Sequence, residues 1–411
     1  MDIAIKSLGP LLFMLLWAWH VNRARTVAFF WISLFFTSIA GFSQNFEFIY
    51  RELHQGVQIP MMVMGFLLLA KGKFLRPIGA ILSAFLGLIL LSLLINEVTP
   101  EASSQLLNFL VVMGTTIFIM TNLKKLPDNQ IALLLRFISQ LGGLAAVIGI
   151  LEFLTTGNAR VEATFANPNY FALFIGISYC FAVASKRGPV RLIILALIIT
   201  AIVLSGSRSA IILPVFSHLW MIVSRYSLKE RFARGFIIIV LGGAAFMATG
   251  LQIDREGADA SDAERYLFWQ IGIEMAKENP WFGVGWGNYI SEFSNYSHLP
   301  KAIFTDNGVV DTLYEERRVS HNDYVRILAE LGIPAFILSV ILTFAVFFRA
   351  WKLEGPFQTV VMPVWMGLFL FSLVHNNLNT AYFWVFFLLP HLHWYSGYSG
   401  RAPKRVRHQR S

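Results

Sequence analysis

Apolar segments about as long as a membrane is thick recur along most of this chain. A helix of roughly 20 apolar residues crosses the hydrocarbon core of a bilayer. Of the 411 residues, 56% are hydrophobic and only 14% are charged, whereas soluble domains carry about 25% charged residues. The sequence therefore predicts an all-α polytopic membrane protein with about 12 transmembrane helices. The candidate spans are residues 8–20, 27–42, 57–70, 78–95, 105–121, 131–154, 169–185, 192–206, 209–223, 235–250, 327–348, 358–374 and 381–395.

Polar breaks between these segments alternate in charge, and an excess of Lys and Arg marks the cytoplasmic side of a membrane protein. The first segment leaves two alternatives open, because a complete first span would put the N-terminus outside and a partial or re-entrant one would put it inside. It has no small-residue cleavage pattern, so we expect it to be retained. The basic breaks, predicted inside, are residues 21–25, 71–76, 122–125, 185–191, 224–234, 348–352 and 401–410.

Residues 251–325 are the one outer break large enough to fold over a site. They hold thirteen acidic and six basic residues, a net charge of −7, so the overall +9 leaves +16 for the rest of the chain. This asymmetry indicates membrane topology rather than nucleic-acid binding. The predicted division is an N-terminal bundle (1–250), the large outer loop (251–325), C-terminal transmembrane helices (326–398) and a basic cytoplasmic tail (399–411).

The outer loop contains a predicted helix over residues 262–280, with Asp262 as its N-cap and Pro280 as its end. Its apolar residues recur at helical spacing, which suits either packing on the bundle or contact with the membrane surface. The glycines of WFGVGWGNY (281–289) favour a tight backbone path over a phosphate-binding loop, because no strand precedes them. The apolar residues are Leu267, Phe268, Ile271 and Met275.

His321 stands where the outer loop passes into an apolar segment, in the stretch SHNDYVRILAELG. Ser320 and Asp323 have the spacing of a capping box, with Asp in place of the usual Glu or Gln, which predicts that His321 lies in the first helical turn. The positive end of the helix dipole would lower the pKa of its imidazole, and a neutral imidazole can act as a general base. The alternative is a histidine that only caps or hydrogen-bonds.

Arginines on the outer side suggest an anionic ligand. Arg208, in LSGSRSA, and Arg265, in the loop helix, run against the usual inside bias of cations, and a guanidinium binds phosphate oxygens bidentately. Arg160 is a further candidate for the same anion, whereas Arg317 and Arg318 could bind phosphate groups or be solvated. No metal site and no cofactor are predicted. The lone Cys180 lies in an apolar span, which excludes an intramolecular disulfide.

These motifs together resemble the bacterial O-antigen ligases and their relatives, the O-antigen polymerases and O-linked oligosaccharyltransferases. The ligase pattern of His, a small polar residue, nine residues and Gly is met by His321, Asn322 and Gly332, although Ala335 departs from the residue usual three positions later. Ser207-Arg208-Ser209, the segment from Arg265 to Asn288, and TFANPN (164–169) match further motifs. The resemblance extends over roughly the last 250 residues.

The resemblance implies a C-type glycosyltransferase architecture in the bacterial inner membrane, with a periplasmic active site. It implies metal-independent, inverting transfer of a glycan from undecaprenyl pyrophosphate to a hydroxyl of lipid A-core. His321 would be the general base, and Arg208, Arg265 and Arg160 would bind the pyrophosphate. Candidates for the acceptor side or the cavity wall are Asn322, Arg317, Arg318, Asn167, Asn169 and His375.

Three alternatives remain at this point. A polymerase or a protein O-oligosaccharyltransferase would differ only in its acceptor, and the single large outer loop favours the ligase. A lipid-linked glycan transporter would place ionisable residues along a path through the bundle, whereas the spans here hold few besides Arg136 and Glu152. A scaffold without enzyme activity would leave the outer arginines and His321 without a role.

Overall fold

The chain is represented by a computed structural model that describes residues 2–42, 50–72, 76–157, 160–165, 167–185, 188–223, 258–296, 304–305, 308–309, 319–353 and 358–392. Fourteen α-helices lie in these ranges, together with a short 3-10 helix, Leu389–His391, and two paired two-residue strands. The helices are α1 Asp2–Ala24, α2 Val27–Phe42, α3 Tyr50–Ala70, α4 Arg76–Ile95, α5 Pro100–Leu123, α6 Asp128–Thr156, α7 Pro168–Ala184, α8 Pro189–Leu204, α9 Arg208–Val223, α10 Ala258–Glu278, α11 Tyr289–Tyr296, α12 Asp323–Lys352, α13 Gln358–Ser372 and α14 Ala381–Leu388. The strands are β1 Phe304–Thr305 and β2 Gly308–Val309.

Where the structure describes them, the apolar segments form helices, as the sequence predicts, and the chain is a predominantly helical membrane protein. Within the described ranges, α5, α6 and α12 are both long and apolar enough to cross a bilayer, and shorter apolar helices pack around them. The count of about 12 spans stays a prediction, because one candidate, 235–250, lies outside the described residues. So do most of residues 251–257 and 297–318 of the outer loop and all of the tail 399–411.

Polar and proline residues set several of the helix starts. Thr99 caps α5 by accepting a hydrogen bond from the Ala102 N–H, and Pro100 fills the first position, where no N–H is needed. Asn167 caps α7 in the same way, with Pro168 after it. The outer-loop helix α10 begins at Ala258, four residues before the predicted N-cap Asp262, so that prediction is wrong. Asp262 lies inside the helix, where Ala258, Ala260 and Ala263 favour helix as much as the predicted interior does.

Breaks that the charge pattern puts on one side of the membrane meet at one end of the bundle. At the predicted outer end, the Val161 N–H donates to the Leu204 carbonyl (3.3 Å), and the Thr99 hydroxyl donates to Asn288 Oδ1 (2.7 Å). At the other end, the side chain of Gln130 donates to the Ala24 carbonyl at 3.0 Å. Each of these three contacts therefore joins breaks that the charge pattern predicts on the same side.

The predicted apolar face of α10 packs on the end of the bundle. Leu267, Phe268, Ile271 and Met275 are buried against α11 and α12, in one cluster with Tyr289, Phe293 and Ala329. Packing, and not contact with a membrane surface, accounts for this face.

A break in α12 receives the glycine-rich turn. Gly332 has a left-handed backbone (φ +78°) and Pro334 has no N–H, so the Ala329 and Glu330 carbonyls lack their helical partners. The turn supplies them, because the Val284 and Gly285 N–H groups donate to these carbonyls at 2.9 and 3.1 Å. The three glycines of the turn all have positive φ, which confirms the prediction of a tight backbone path. Residues 280–288 are thereby fixed against the outer half of α12.

Candidate active site

His321 lies just before the helix on which the sequence places it. The helix α12 begins at Asp323, and Asn322 is the N-cap, whose Oδ1 accepts hydrogen bonds from the backbone N–H groups of Tyr324 and Val325 at 2.9 and 3.0 Å. The predicted capping box of Ser320 and Asp323 is therefore wrong, and His321 is not in the first turn. Asn322 caps the helix instead of Ser320, two positions later, because its backbone is extended (φ −155°) and its side-chain oxygen can accept from the first helical turn. The Asn322 side chain, a predicted cavity residue, thus holds the helix start.

An aromatic surface on the outer loop supports the imidazole of His321. Its ring stacks on Phe268 of α10, with centroids 6.1 Å apart and planes at 28°. Phe268 is held in turn, since its carbonyl accepts a hydrogen bond from the Tyr289 hydroxyl at 2.5 Å and its ring meets Phe293 edge-on. Burial raises the pKa of Tyr289, so this hydroxyl remains a donor. The ring of His321 is therefore placed by packed groups rather than by a flexible loop alone.

Arg265 lies on α10 one turn before Phe268. Residues three apart share a helix face, so Arg265 lies on the same face of α10 as Phe268, which contacts His321. Arg265 is half-buried. The helix thus presents a cation and an aromatic platform toward the same region.

His375, a predicted cavity residue, is a buried histidine whose charge state is sensitive to several other predicted site residues. It lies in the turn between α13 and α14, is 7% exposed, and its ring stacks on Phe371 with centroids 4.1 Å apart. Burial, and then the charges of Arg265, His321 and Arg160, lower the pKa of His375 to about 3. These three residues come from three separate parts of the chain, and their charges act on this one imidazole.

Arg208 is directly followed by a serine that contacts His375. It is the first residue of α9, and Ser209 directly after it has its Oγ 3.4 Å from His375 Nε2. The Ser207 hydroxyl lies 3.3 Å from that of Ser209. The backbone of the predicted serine-flanked arginine motif therefore borders His375, while the side chain of Arg208 is outside what the structure describes.

Arg160 lies in a short segment whose backbone is hydrogen-bonded to the buried carboxylate of Glu152. Glu152 of α6 accepts hydrogen bonds from the backbone N–H groups of Glu162 (3.2 Å) and Ala163 (2.7 Å). Thr164 donates to the carbonyl of Ala40. Glu152, one of the few ionisable residues of the predicted spans, is thereby part of the structure that positions the Arg160 segment.

Four other predicted site residues have different outcomes. Asn167 is exposed and caps α7, with its side chain accepting a hydrogen bond from the Asn169 N–H at 2.8 Å. Asn169 is half-buried in the first turn of that helix. Arg317 and Arg318 lie outside the described residues.

Sequence reasoning missed the role of Asp323. It treated this residue as part of a cap, but both carboxylate oxygens accept hydrogen bonds from the turn after His375, at the backbone N–H groups of Asn377 and Leu378. The only signal in the sequence was an acidic residue two positions after His321. Its partner, more than 50 residues away, follows from the packing of α12 against the C-terminal helices.

A second buried group behind the site was also missed. Arg326 of α12 pairs with Glu330 (Nε to Oε2, 3.1 Å), and its guanidinium lies 4.9 Å from the ring centre of Trp286. It also donates to Gln105 at 3.3 Å. Both charges are almost completely buried, and a buried ion pair of this kind stays intact only when its other bonds are satisfied. The pair joins α5, α12 and the glycine-rich turn.

One comparison with known proteins bears on this site. The family model described as O-antigen ligase matches residues 192–340, about a third of the chain. The matched region contains Arg208, Arg265, His321 and Gly332, but it ends before His375 and begins after Arg160. It is shorter than the predicted resemblance over the last 250 residues or so. No curated protein matches the chain significantly.

Proposed function

We propose, from the match of residues 192–340 to the O-antigen ligase family and the assignment it supports, that the chain transfers a glycan from a lipid-linked pyrophosphate donor. In the form we favour, the donor is undecaprenyl pyrophosphate-linked O-antigen and the acceptor is a sugar hydroxyl of lipid A-core. The protein would act in the bacterial inner membrane with its site toward the periplasm. The large outer loop, 251–325, would cover that site.

Contacts that join the neighbours of His321 and Arg208 to one buried turn support this proposal: Ser320 donates to Asn376 at 3.1 Å, and the Ser209 hydroxyl lies 3.4 Å from His375. A leaving pyrophosphate needs cationic donors that are already in place, and positioned donors of this kind contribute about 10²–10³ in rate. Two or three guanidinium groups can supply the charge without a metal. Arg208, at the start of α9, would complete the set.

His321 is the proposed general base. Its placement on an aromatic surface gives the imidazole a fixed direction, and general-base catalysis contributes about 10²–10⁴ in rate. In the proposed step, His321 takes the proton of the acceptor hydroxyl while the hydroxyl oxygen forms a bond to the anomeric carbon. The bond from that carbon to the pyrophosphate oxygen breaks, and the arginines hold the departing anion. Displacement from the opposite face inverts the anomeric centre.

A transporter is the competing function, and the few ionisable groups within the bundle argue against it. Glu152 binds backbone N–H groups of its own outer connection, and Arg136 is exposed on α6. Arg326 and Glu330 are buried, but they satisfy each other. Among the described residues, none of these groups lines a continuous path of the kind a flippase needs.

Incubation of the purified protein with an undecaprenyl pyrophosphate-linked glycan and one acceptor at a time tests the proposal. Lipid A-core should become glycosylated, whereas a second lipid-linked glycan or a Ser-containing peptide should not. A longer lipid-linked glycan as the product would identify a polymerase, and a glycopeptide would identify an oligosaccharyltransferase. Absence of every product would contradict the proposed function.

A further inference from the structure

The start of α12 and the turn after His375 are joined by a compact set of hydrogen bonds. Asp323 Oδ1 accepts from the backbone N–H of Asn377 at 2.8 Å and from that of Leu378 at 3.3 Å. Its Oδ2 accepts from the same Asn377 N–H at 3.0 Å and from the Asn377 side-chain amide at 3.3 Å. Asp323 is 3% exposed, and Asn377 is completely buried. The turn is therefore bound to one carboxylate inside the protein.

All the partners of this carboxylate are donors, and this decides which side chain fits. An ionised carboxylate only accepts, so it satisfies both oxygens here, whereas an amide would put its own N–H₂ against an N–H. A buried donor without an acceptor costs about 1–3 kcal/mol. The site is therefore selective for a carboxylate over its closest isostere.

Ser320, directly before His321, is hydrogen-bonded to the same turn. The hydroxyl of Ser320 donates to Asn376 Oδ1 at 3.1 Å, and the Tyr170 hydroxyl of α7 donates to the Asn376 carbonyl at 2.7 Å. His321 thus lies between two residues, Ser320 and Asp323, that are both bound to residues 376–378. Its backbone has φ +50°, a conformation that non-glycine residues keep only where surrounding contacts hold it.

We infer that Asp323 is a positioning residue of the transfer reaction: its carboxylate fixes the turn 376–378, and through it fixes His375 relative to His321. The inference rests on the proposed function, since it assigns Asp323 a part in that reaction. Asp323 itself touches neither the donor nor the acceptor. It acts by keeping two imidazoles, which come from distant parts of the chain, in one arrangement.

Comparison of Asp323→Asn with Asp128→Asn tests this inference in the full-length protein. Asp128 is the matched control, because it is also the first residue of a long helix, α6, but lies at the opposite end of the bundle. Hydrogen exchange of residues 374–380 reports the turn directly and requires no substrate. In Asp323→Asn, we expect the Asn377 and Leu378 amides to exchange about tenfold faster. Asp128→Asn should leave them unchanged.

Kinetics then separate a positioning role from a structural one. We expect kcat of Asp323→Asn to fall by about 10–100-fold, because displacement of catalytic groups by about 1 Å has effects of that size. The KM for the lipid-linked donor should stay near that of the wild type, and Asp323→Glu should recover part of the rate. If Asp323→Asn does not fold, Asn377→Ala removes one of the four bonds, and we expect a several-fold fall in kcat.

Three outcomes would overturn the inference. A wild-type kcat in Asp323→Asn, with or without faster exchange, would show that the anchor has no part in the reaction. A wild-type kcat in Asn377→Ala, where Asp323→Asn does not fold, would lead to the same conclusion. A wild-type protein that transfers glycan to no acceptor would instead refute the proposed function, and the catalytic role of Asp323 with it.

Discussion

His321 shows how a capping pattern can misplace a residue relative to the start of a helix. The spacing of Ser320 and Asp323 predicted a histidine in the first turn of a helix, but Asn322 is the cap and His321 precedes it with a left-handed backbone. A capping pattern cannot tell which of several adjacent polar residues will cap, because Ser, Asn and Asp have similar preferences. The support of the ring by Phe268 could not be predicted either, since it depends on how α10 packs.

Replacement of His321 by Ala should remove the general base. We expect kcat to fall by about 10²–10⁴-fold, while the affinity for the lipid-linked donor changes little. His218 offers a matched control, because it is an exposed histidine near the opposite end of α9. His218→Ala should retain the wild-type rate in the same assay. Wild-type turnover in His321→Ala would remove the base from the mechanism.

Arg265 should not be replaceable by Lys, although the charge is kept. An ammonium cannot hold two phosphate oxygens in the fork geometry of a guanidinium, so Arg265→Lys should lose about 10²–10³ in kcat. Arg136, exposed on α6, provides the control, and Arg136→Lys should behave as the wild type. Steady-state kinetics with a labelled donor measure both. A fully active Arg265→Lys variant would show that the fork is not used.

His375 should make stability depend on pH. Its pKa in the folded protein is lowered to about 3, below the value of about 6.5 expected in the unfolded chain. Between these two values the unfolded state binds the extra proton, so the stabilisation by the neutral imidazole is present above pH 6.5 and is lost as the pH falls toward 3. His375→Gln removes this titration. Its melting temperature in detergent should therefore fall less than that of the wild type between pH 7 and pH 5, and an equal fall would contradict the assignment.

At the scale of the elements, the break at Gly332 explains why the spacing from His321 matters. It interrupts α12 eleven residues after His321, and the carbonyls it frees are taken up by the turn 280–288 that follows α10. Sequence analysis predicted the tight path of that turn from its glycines. It did not predict the break, because a single glycine within a helical pattern is usually tolerated.

Gly332→Ala should therefore destabilise the protein. A Cβ at this position would lie 2.5 Å from the carbonyl carbon of Trp281, and the positive φ would be strained as well. We expect a loss of about 1–3 kcal/mol. Gly87 in α4 is the control, because a Cβ there meets nothing within 4 Å, and Gly87→Ala should be neutral or slightly stabilising. Thermal unfolding of both variants compares them, and an unchanged melting temperature for Gly332→Ala would contradict the account of the break.

At the scale of the whole molecule, the sequence was most informative about class and organisation. The recurrence of apolar segments predicted the helical membrane bundle. It could not show that Ser209 and Ser320, the neighbours of Arg208 and His321, contact the turn that contains His375, because residues on one side of a membrane can still be tens of ångströms apart. The Asp323 anchor was missed for the same reason, since its partners lie on a different helix connection.

The molecule's two-ended organisation also bears on the choice between transfer and transport. An enzyme needs its cationic groups at one end, where the donor head group lies, whereas a transporter must pass the head group through the bundle. Ser209, Ser320 and Asp323, which contact His375 or the residues directly after it, all lie at one end of the bundle. This arrangement favours chemistry at a surface over movement across it.

The most direct test of the central claim is a reconstitution in vesicles with a fluorescent lipid-linked glycan and lipid A-core, in the presence of EDTA. The account predicts that the glycan becomes attached to lipid A-core at an undiminished rate, with inverted anomeric configuration, and that His321→Ala vesicles form no product. Movement of the labelled lipid between leaflets without any transfer would contradict it.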